Sequence, residues 1–150
     1  MTRPVLFLDV DGVLNSATFF AASDPIPVTS VDPRAVRRIQ RIVDQTDALV
    51  VLSSSWRKSP ELVAILRTAG VPIHDVTPVL TGPNGGTYVE RSDEIRAWLR
   101  DHPEVTTYAI VDDDDSAGMN DPDRYVRTYW RLGMYGKHEK AIIGLLRSMR

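Results

Sequence analysis

The sequence predicts an α/β domain with a mostly parallel sheet, and three observations predict it. Short, continuous apolar runs recur at residues 4–8, 48–52 and 108–111, as expected for strands buried on both faces of a sheet. Between them lie segments with apolar residues at helical spacing, and strands alternating with helices imply βαβ units. The 150 residues, 43% of them hydrophobic, suffice for one core without staples, which suits a single domain over residues 1–150.

The elements follow in order. Residues 4–8 form the first strand, closed by Asp9 and Gly12. Residues 16–31 mix Phe19 and Phe20 with Asp24, Pro25 and Pro27, and read as a loop or small flap rather than a regular element. Asp32 and Pro33 supply an N-cap and a proline at the first helical position, followed by Val36, Ile39, Ile42 and Val43 at helical spacing. The second strand, 48–52, runs into Ser53, Ser54, Ser55, Trp56 and Arg57. Ser59 and Pro60 then repeat the cap signal for a helix that closes at Gly70. A short extended piece around 71–73 precedes residues 77–86, whose two prolines and three glycines make a loop. Ser92 caps the next helix, with Asp93 and Glu94 in its first turn, Ile95, Trp98 and Leu99 as an apolar stripe, and Pro103 as its stop. The strand at 108–111 delivers the chain into a run of aspartates. Residues 125–129 offer one more strand, and a final helix from about Lys137 turns Ile142, Ile143, Leu145, Leu146 and Met149 inward.

Composition excludes several functions. With no cysteine there are no disulfides, no thiolate catalysis and no Cys-based zinc site, a pattern that fits a reducing, cytoplasmic setting. The apolar runs are far too short to span a membrane, and Asp9 and Asp11 interrupt the stretch that a secretory leader would need. The net charge of −2 conceals a segregation. Residues 112–123 carry six aspartates and no Lys or Arg, leaving 18 basic and 14 acidic groups elsewhere, while residues 124–150 set seven basic side chains against Glu139 alone. A calcium loop begun at Asp113 would put Gly118 sixth but Arg124 twelfth, where a bidentate carboxylate is required. Trp56 and Trp98 read as packing residues; His74, His102 and His138 have no metal-ligand spacing.

In open α/β sheets ligands bind beyond the carboxyl ends of the strands. Those ends carry Asp9 and Asp11, Ser53, and Asp112 with Asp113. Four carboxylates converging on one crevice would repel unless a divalent cation neutralised them, and an all-oxygen set favours Mg²⁺.

Asp9-Val10-Asp11-Gly12-Val13-Leu14-Asn15 resembles motif I of the haloacid dehalogenase (HAD) superfamily of phosphohydrolases. Ser53 after Val50-Val51-Leu52 resembles motif II, and Val111-Asp112-Asp113 the double-aspartate form of motif IV. The resemblance implies a Rossmann-like three-layer sandwich with minimal or no cap domain, residues 16–31 being long enough only for a flap. It makes Asp9 the nucleophile that forms an aspartyl-phosphate, and Asp11 the general acid and then the base for water. It gives Mg²⁺ as cofactor, held by Asp9, the backbone carbonyl of Asp11 and a motif IV acid, Asp113 directly with Asp112 in support. Ser53 would bind the phosphate, with Ser54 or Ser55 as the alternative hydroxyl. The motif III cation falls on Arg91 in place of the usual Lys, with Lys58 as the alternative. The stretch Leu52-Ser53-Ser54-Ser55-Trp56-Arg57, with Arg91 and the aspartate run, resembles small HAD domains associated with RNA repair. A more distant likeness, to the phosphatase part of polynucleotide kinase-phosphatases, makes Arg57 a further phosphate ligand. The open site implied by so small a cap makes a nucleic-acid end the leading substrate, ahead of nucleotides and other small phosphoesters. Two other classes stand beside it: a phospho-acceptor signalling module such as a receiver domain, and a nucleic-acid-binding scaffold. Turnover discriminates them.

Overall fold

The computed structural model describes residues 2–82 and 89–148. Its elements are β1 (Val5–Leu8), α1 (Ala17–Ala22), α2 (Pro33–Thr46), β2 (Leu49–Leu52), α3 (Pro60–Thr68), β3 (Ile73–Val76), α4 (Arg91–Asp101), β4 (Tyr108–Asp112), β5 (Tyr125–Arg127) and α5 (Gly136–Ser148), with 3₁₀ turns at Ser55–Lys58, Asp115–Gly118 and Pro122–Arg124. The five strands form one all-parallel sheet in the order β3-β2-β1-β4-β5. This is the three-layer α/β architecture the sequence predicts.

Alternation along the strands builds two cores. Leu6, Leu8, Val50, Leu52, Ala109 and Val111 face α2, α3 and α5 through Ile39, Ile42, Leu66, Ile142 and Leu146. Val5, Phe7, Val51 and Ile110 face α4 through Ile95 and Trp98. Each of these strand side chains is essentially removed from water, which is why the strands read as unbroken apolar runs rather than as alternating ones. Asp32 and Ser59 cap α2 and α3 by accepting from the amides of Arg34 and Leu62, each with proline at the first helical position. Glu139 on α5 is gripped by Arg38 and Arg41 of α2 at 3.1 and 2.8 Å.

Four local expectations change. Residues 17–22 are helical, not loop: Ser16 caps the turn by accepting from the Phe19 amide, and the carbonyls of Trp130 and Arg131 take the amides of Ala17 and Thr18. Those carbonyls lie over a hundred residues away, and the Ser16 cap is the one local signal beside them. The third strand sits at Ile73–Val76 rather than 71–73, because the Val71 amide closes the end of α3 on Leu66 and only later residues reach β2. Ser92 is not the cap of α4. The helix starts two residues earlier from an extended Glu90, and the Ser92 hydroxyl instead accepts from the Asn120 amide. The last strand is Tyr125–Arg127, shorter than 125–129. Residues 83–86 of the glycine- and proline-rich loop, and Met149, lie outside the described residues. Among the described residues no helix is long and apolar enough to cross a membrane.

Candidate active site

The strand order reverses at β1, where β2 lies on one side and β4 on the other, and such a switch point opens a crevice at the strands' carboxyl ends. Leu8 pairs with Leu52 and with Val111. The next residue on each strand is therefore Asp9 in the centre, Ser53 on one side and Asp112 on the other. Parallel neighbours in register project to the same side of the sheet, so three separated stretches of sequence arrive at one place.

Asp9 and Asp112 are 4% and 0% exposed, with Asp113 half-buried beside them, and oxygens of all three lie within 4.8 Å of one another. Burial, followed by the charge of Asp112, pushes Asp9 up to about 9 even though Arg91 opposes the shift. Burial and Asp112 likewise push Asp113 up to about 6. A cluster of three carboxylates that cannot all ionise unaided, made only of hard oxygen donors, fits a divalent cation. Asp112 already has partners on both oxygens: Arg91 on Oδ2 and the Asp114 amide on Oδ1. Asp113 completes the cluster from the half-buried side. Its carboxylate occupies the space where any side chain at Gly12 would begin, and Gly12 itself holds φ +81°, so the motif I turn needs glycine twice over.

Arg91 opens α4 and puts Nη1 3.0 Å from Asp9 and 2.7 Å from Asp112. Burial works against its charge, but Asp9 and then Asp112 more than offset that and raise its pKa above the ordinary value. Lys58, the alternative cation, is exposed and makes no ion pair among the described residues; Arg91 is the one that reaches the carboxylates. An open cavity of about 210 Å³ lies against Arg91, lined also by Ser55, Arg57, Lys58, Glu94 and Asp114. The hydroxyl of Ser53 is fully buried and has no hydrogen-bond partner among the described residues. An unsatisfied buried hydroxyl at a strand end is costly unless something polar is expected there.

Asp11 projects to solvent, braced on both oxygens. Asn15 Nδ2 donates to Oδ1 at 2.9 Å and the Trp56 indole donates to Oδ2 at 3.1 Å. Asn15 also accepts from the Gly12 amide, locking the turn. Trp56 is thus more than a packing residue, although its ring is nearly buried. Sequence reasoning missed this because the contact spans 45 positions and depends on one ring nitrogen. Asn15, four residues after Asp11 inside motif I, was the visible half of the brace.

Arg57, expected as a further phosphate ligand, lines the cavity beside Arg91, but its guanidinium is engaged by the protein itself. Its side chain is only 3% exposed and pairs with Glu94 at 2.8 Å. Nε donates to the Thr77 carbonyl, Nη1 to those of Ser53 and Ser54, and Nη2 to that of Pro78. Every N–H is occupied, so none remains for a phosphate. Arg57 ties the end of β2 to the segment after β3 and to α4. Arg57→Ala should therefore register mainly as lost stability, about 3 kcal/mol in urea unfolding, because it strands the buried Glu94. A phosphate ligand would instead show a raised KM at near-normal stability.

Asp114 caps the following 3₁₀ turn, and Asp115 pairs with Arg127 at 2.7 Å; neither belongs to the carboxylate trio. Across residues 5–138 the sequence matches a family model described as the HAD domain in Swiss Army Knife RNA repair proteins. No curated protein matches the chain, and no solved structure does.

Proposed function

Since the chain belongs to the HAD domains of Swiss Army Knife RNA repair proteins, we propose that it is a Mg²⁺-dependent phosphomonoesterase, one domain over residues 1–150, that works through an aspartyl-phosphate and takes a nucleic-acid end as substrate. The observation that carries this reading is the cluster of Asp9, Asp112 and Asp113 at the sheet's switch point, with Arg91 joining the buried pair Asp9 and Asp112.

In this reading Asp9 attacks phosphorus. The P–O bond to the leaving group breaks as Asp11 transfers its proton to the departing oxygen. Asp11 then takes a proton from water, whose oxygen attacks phosphorus and releases Asp9 and inorganic phosphate. Asp9, Asp113 and the Asp11 carbonyl would hold the cation, with Asp112 in support. Bound there, it supplies the positive charge that lets an anionic nucleophile meet an anionic ester. Arg91 stays protonated throughout and steers both Asp9 and the phosphoryl oxygens. Ser53 offers its unpartnered hydroxyl to the same oxygens. The absence of cysteine agrees with a cytoplasmic setting.

The braces on Asp11 give a test of its role. Trp56→Phe removes one donor while keeping the ring, so kcat/KM for an alkyl phosphate should fall about tenfold. For p-nitrophenyl phosphate, whose leaving group departs without a proton, kcat/KM should change less than twofold. Equal losses on both esters would mean that Trp56 only packs.

For the reading as a whole, the chain is incubated with p-nitrophenyl phosphate and then with oligonucleotides bearing 3′- or 5′-phosphate, nucleotides and sugar phosphates. The expected result is release that needs Mg²⁺, stops in EDTA and favours the oligonucleotides. No release from any ester would remove the catalytic reading, and a purely small-molecule profile would remove the nucleic-acid end.

A further inference from the structure

Large exposed apolar side chains gather in one short stretch after β5. Tyr129, Trp130 and Leu132 are 57%, 47% and 54% exposed, and Tyr135 follows at the edge. The exposure is not fraying. Trp130 and Arg131 carbonyls accept from Ala17 and Thr18, the Met134 amide donates to Val13, and the Thr128 hydroxyl donates to the Gly12 carbonyl at 2.6 Å. The loop is therefore stitched along the segment that follows Asp9 and Asp11, at the carboxyl end of the sheet. Fixed aromatic faces left in water lose the burial that most such rings obtain, so their placement asks for an occupant.

The surroundings indicate its chemistry. The Arg127 guanidinium lies 4.8 Å over the Tyr129 ring, although Asp115 takes part of its charge. Arg131 is exposed with no ion pair among the described residues, and Lys137 lies 5.8 Å from the Tyr135 ring. Trp130 is backed by Phe20 at 6.1 Å, which holds the indole in place from one side. On the α2 side the surface continues into an open cavity of about 250 Å³ lined by Phe19, Leu132 and Tyr135, with Arg34 and Arg38 already paired to Asp32 and Glu139. Ring faces interleaved with arginines suit a chain that alternates flat bases with phosphates, whereas a second apolar protein surface would have to desolvate those cations.

We propose that Tyr129 and Trp130 form a stacking platform for unpaired bases next to the phosphorylated end, with Arg131 and Arg127 tracking the backbone, so that the enzyme reads a single-stranded nucleic acid rather than a bare phosphoester. This rests on the proposed phosphatase reading for the position of the end, but its test does not need turnover. Binding of a fluorescein-labelled, 5′- or 3′-phosphorylated single strand is followed by anisotropy in the Asp9→Asn chain, with and without Trp130→Ala or Tyr129→Ala. Each Ala substitution should weaken binding about tenfold, within the range for one lost stack, and Trp130→Phe should restore most of it. In the otherwise wild-type chain, the same Ala substitutions should leave kcat/KM for p-nitrophenyl phosphate within twofold, which also shows that they fold. Unchanged oligonucleotide affinity would overturn the platform, as would equal losses on the oligonucleotide and the small ester. So would sedimentation showing a dimer that Trp130→Ala dissociates while strand affinity holds. Weakened binding alongside a wild-type chain that hydrolyses no ester would leave the platform standing and remove the phosphatase reading instead.

Discussion

Asp9→Asn is expected to abolish phosphate release, by a factor on the order of 10⁴ or more, and at the same time to make the cation-free protein more stable. The loss follows from the chemistry assigned to Asp9: the amide cannot form the covalent intermediate, and no other carboxylate lies in line at the centre of the three strand ends. The gain follows from electrostatics. In an unfolded chain Asp9 ionises near 3.8, whereas in the cation-free fold burial and Asp112 push it up to about 9. The folded state thus keeps a proton that the unfolded chain releases, and stability falls as pH rises between those values. Asp113, pushed up to about 6, adds to the fall over the lower part of the same window. Thermal unfolding in EDTA should therefore show the parent melting at progressively lower temperature from pH 4 to pH 9. The Asp9→Asn chain should lose less over that range and melt a few degrees higher near pH 8. Mg²⁺ should raise the parent's Tm by binding the folded state alone. An Asp9→Asn chain that is destabilised in EDTA would mean that the carboxylate cluster is not under the strain its burial implies.

Arg91→Ala carries the second large effect. One guanidinium nitrogen sits 3.0 Å from Asp9 and 2.7 Å from Asp112, so its removal leaves two buried carboxylates facing each other. In kcat/KM the loss should be about 10²–10³-fold, the usual consequence of deleting one preorganised donor to a transferring group. Stability should fall by about 2–3 kcal/mol, and the variant should depend on a higher Mg²⁺ concentration because only the cation then counters the cluster. Arg91→Lys keeps the charge but gives up the planar fork, and should retain an intermediate activity. Urea unfolding and a Mg²⁺ titration of turnover measure both. A normal rate in Arg91→Ala, with Lys58→Ala inactive instead, would move the motif III role to Lys58.

The contrast between Arg91 and Arg57 shows what was legible in the sequence. Strand ends were readable, because doubly buried strands are unbroken apolar runs and the residue after each run is visible by inspection. Asp9, Ser53, Asp112 and Asp113 stand at those ends, and Arg91 came from the motif III resemblance. Ser59-Pro60 and Asp32-Pro33 fixed two helix starts through local capping chemistry. Features held together by distant partners were not readable. Residues 17–22 are helical because carbonyls near residue 130 complete their first turn. Trp56 braces Asp11 across 45 positions, and Arg57 looks like an anion ligand until Glu94 and four carbonyls are seen to occupy it. Residue type predicted the charge; only packing decided whether it remained available.

The covalent role of Asp9 is tested most directly by trapping the intermediate. The Asp11→Asn chain, which lacks the base for hydrolysis but still accepts a phosphoryl group from p-nitrophenyl phosphate, is mixed with that ester and Mg²⁺, quenched in acid and read by intact-mass and peptide mass spectrometry. The expected result is one added phosphoryl group per chain, located on Asp9 and absent when Asp9→Asn is combined with Asp11→Asn. A parent enzyme that turns over while Asp11→Asn carries no phosphoryl group, or carries it on another residue, would contradict it.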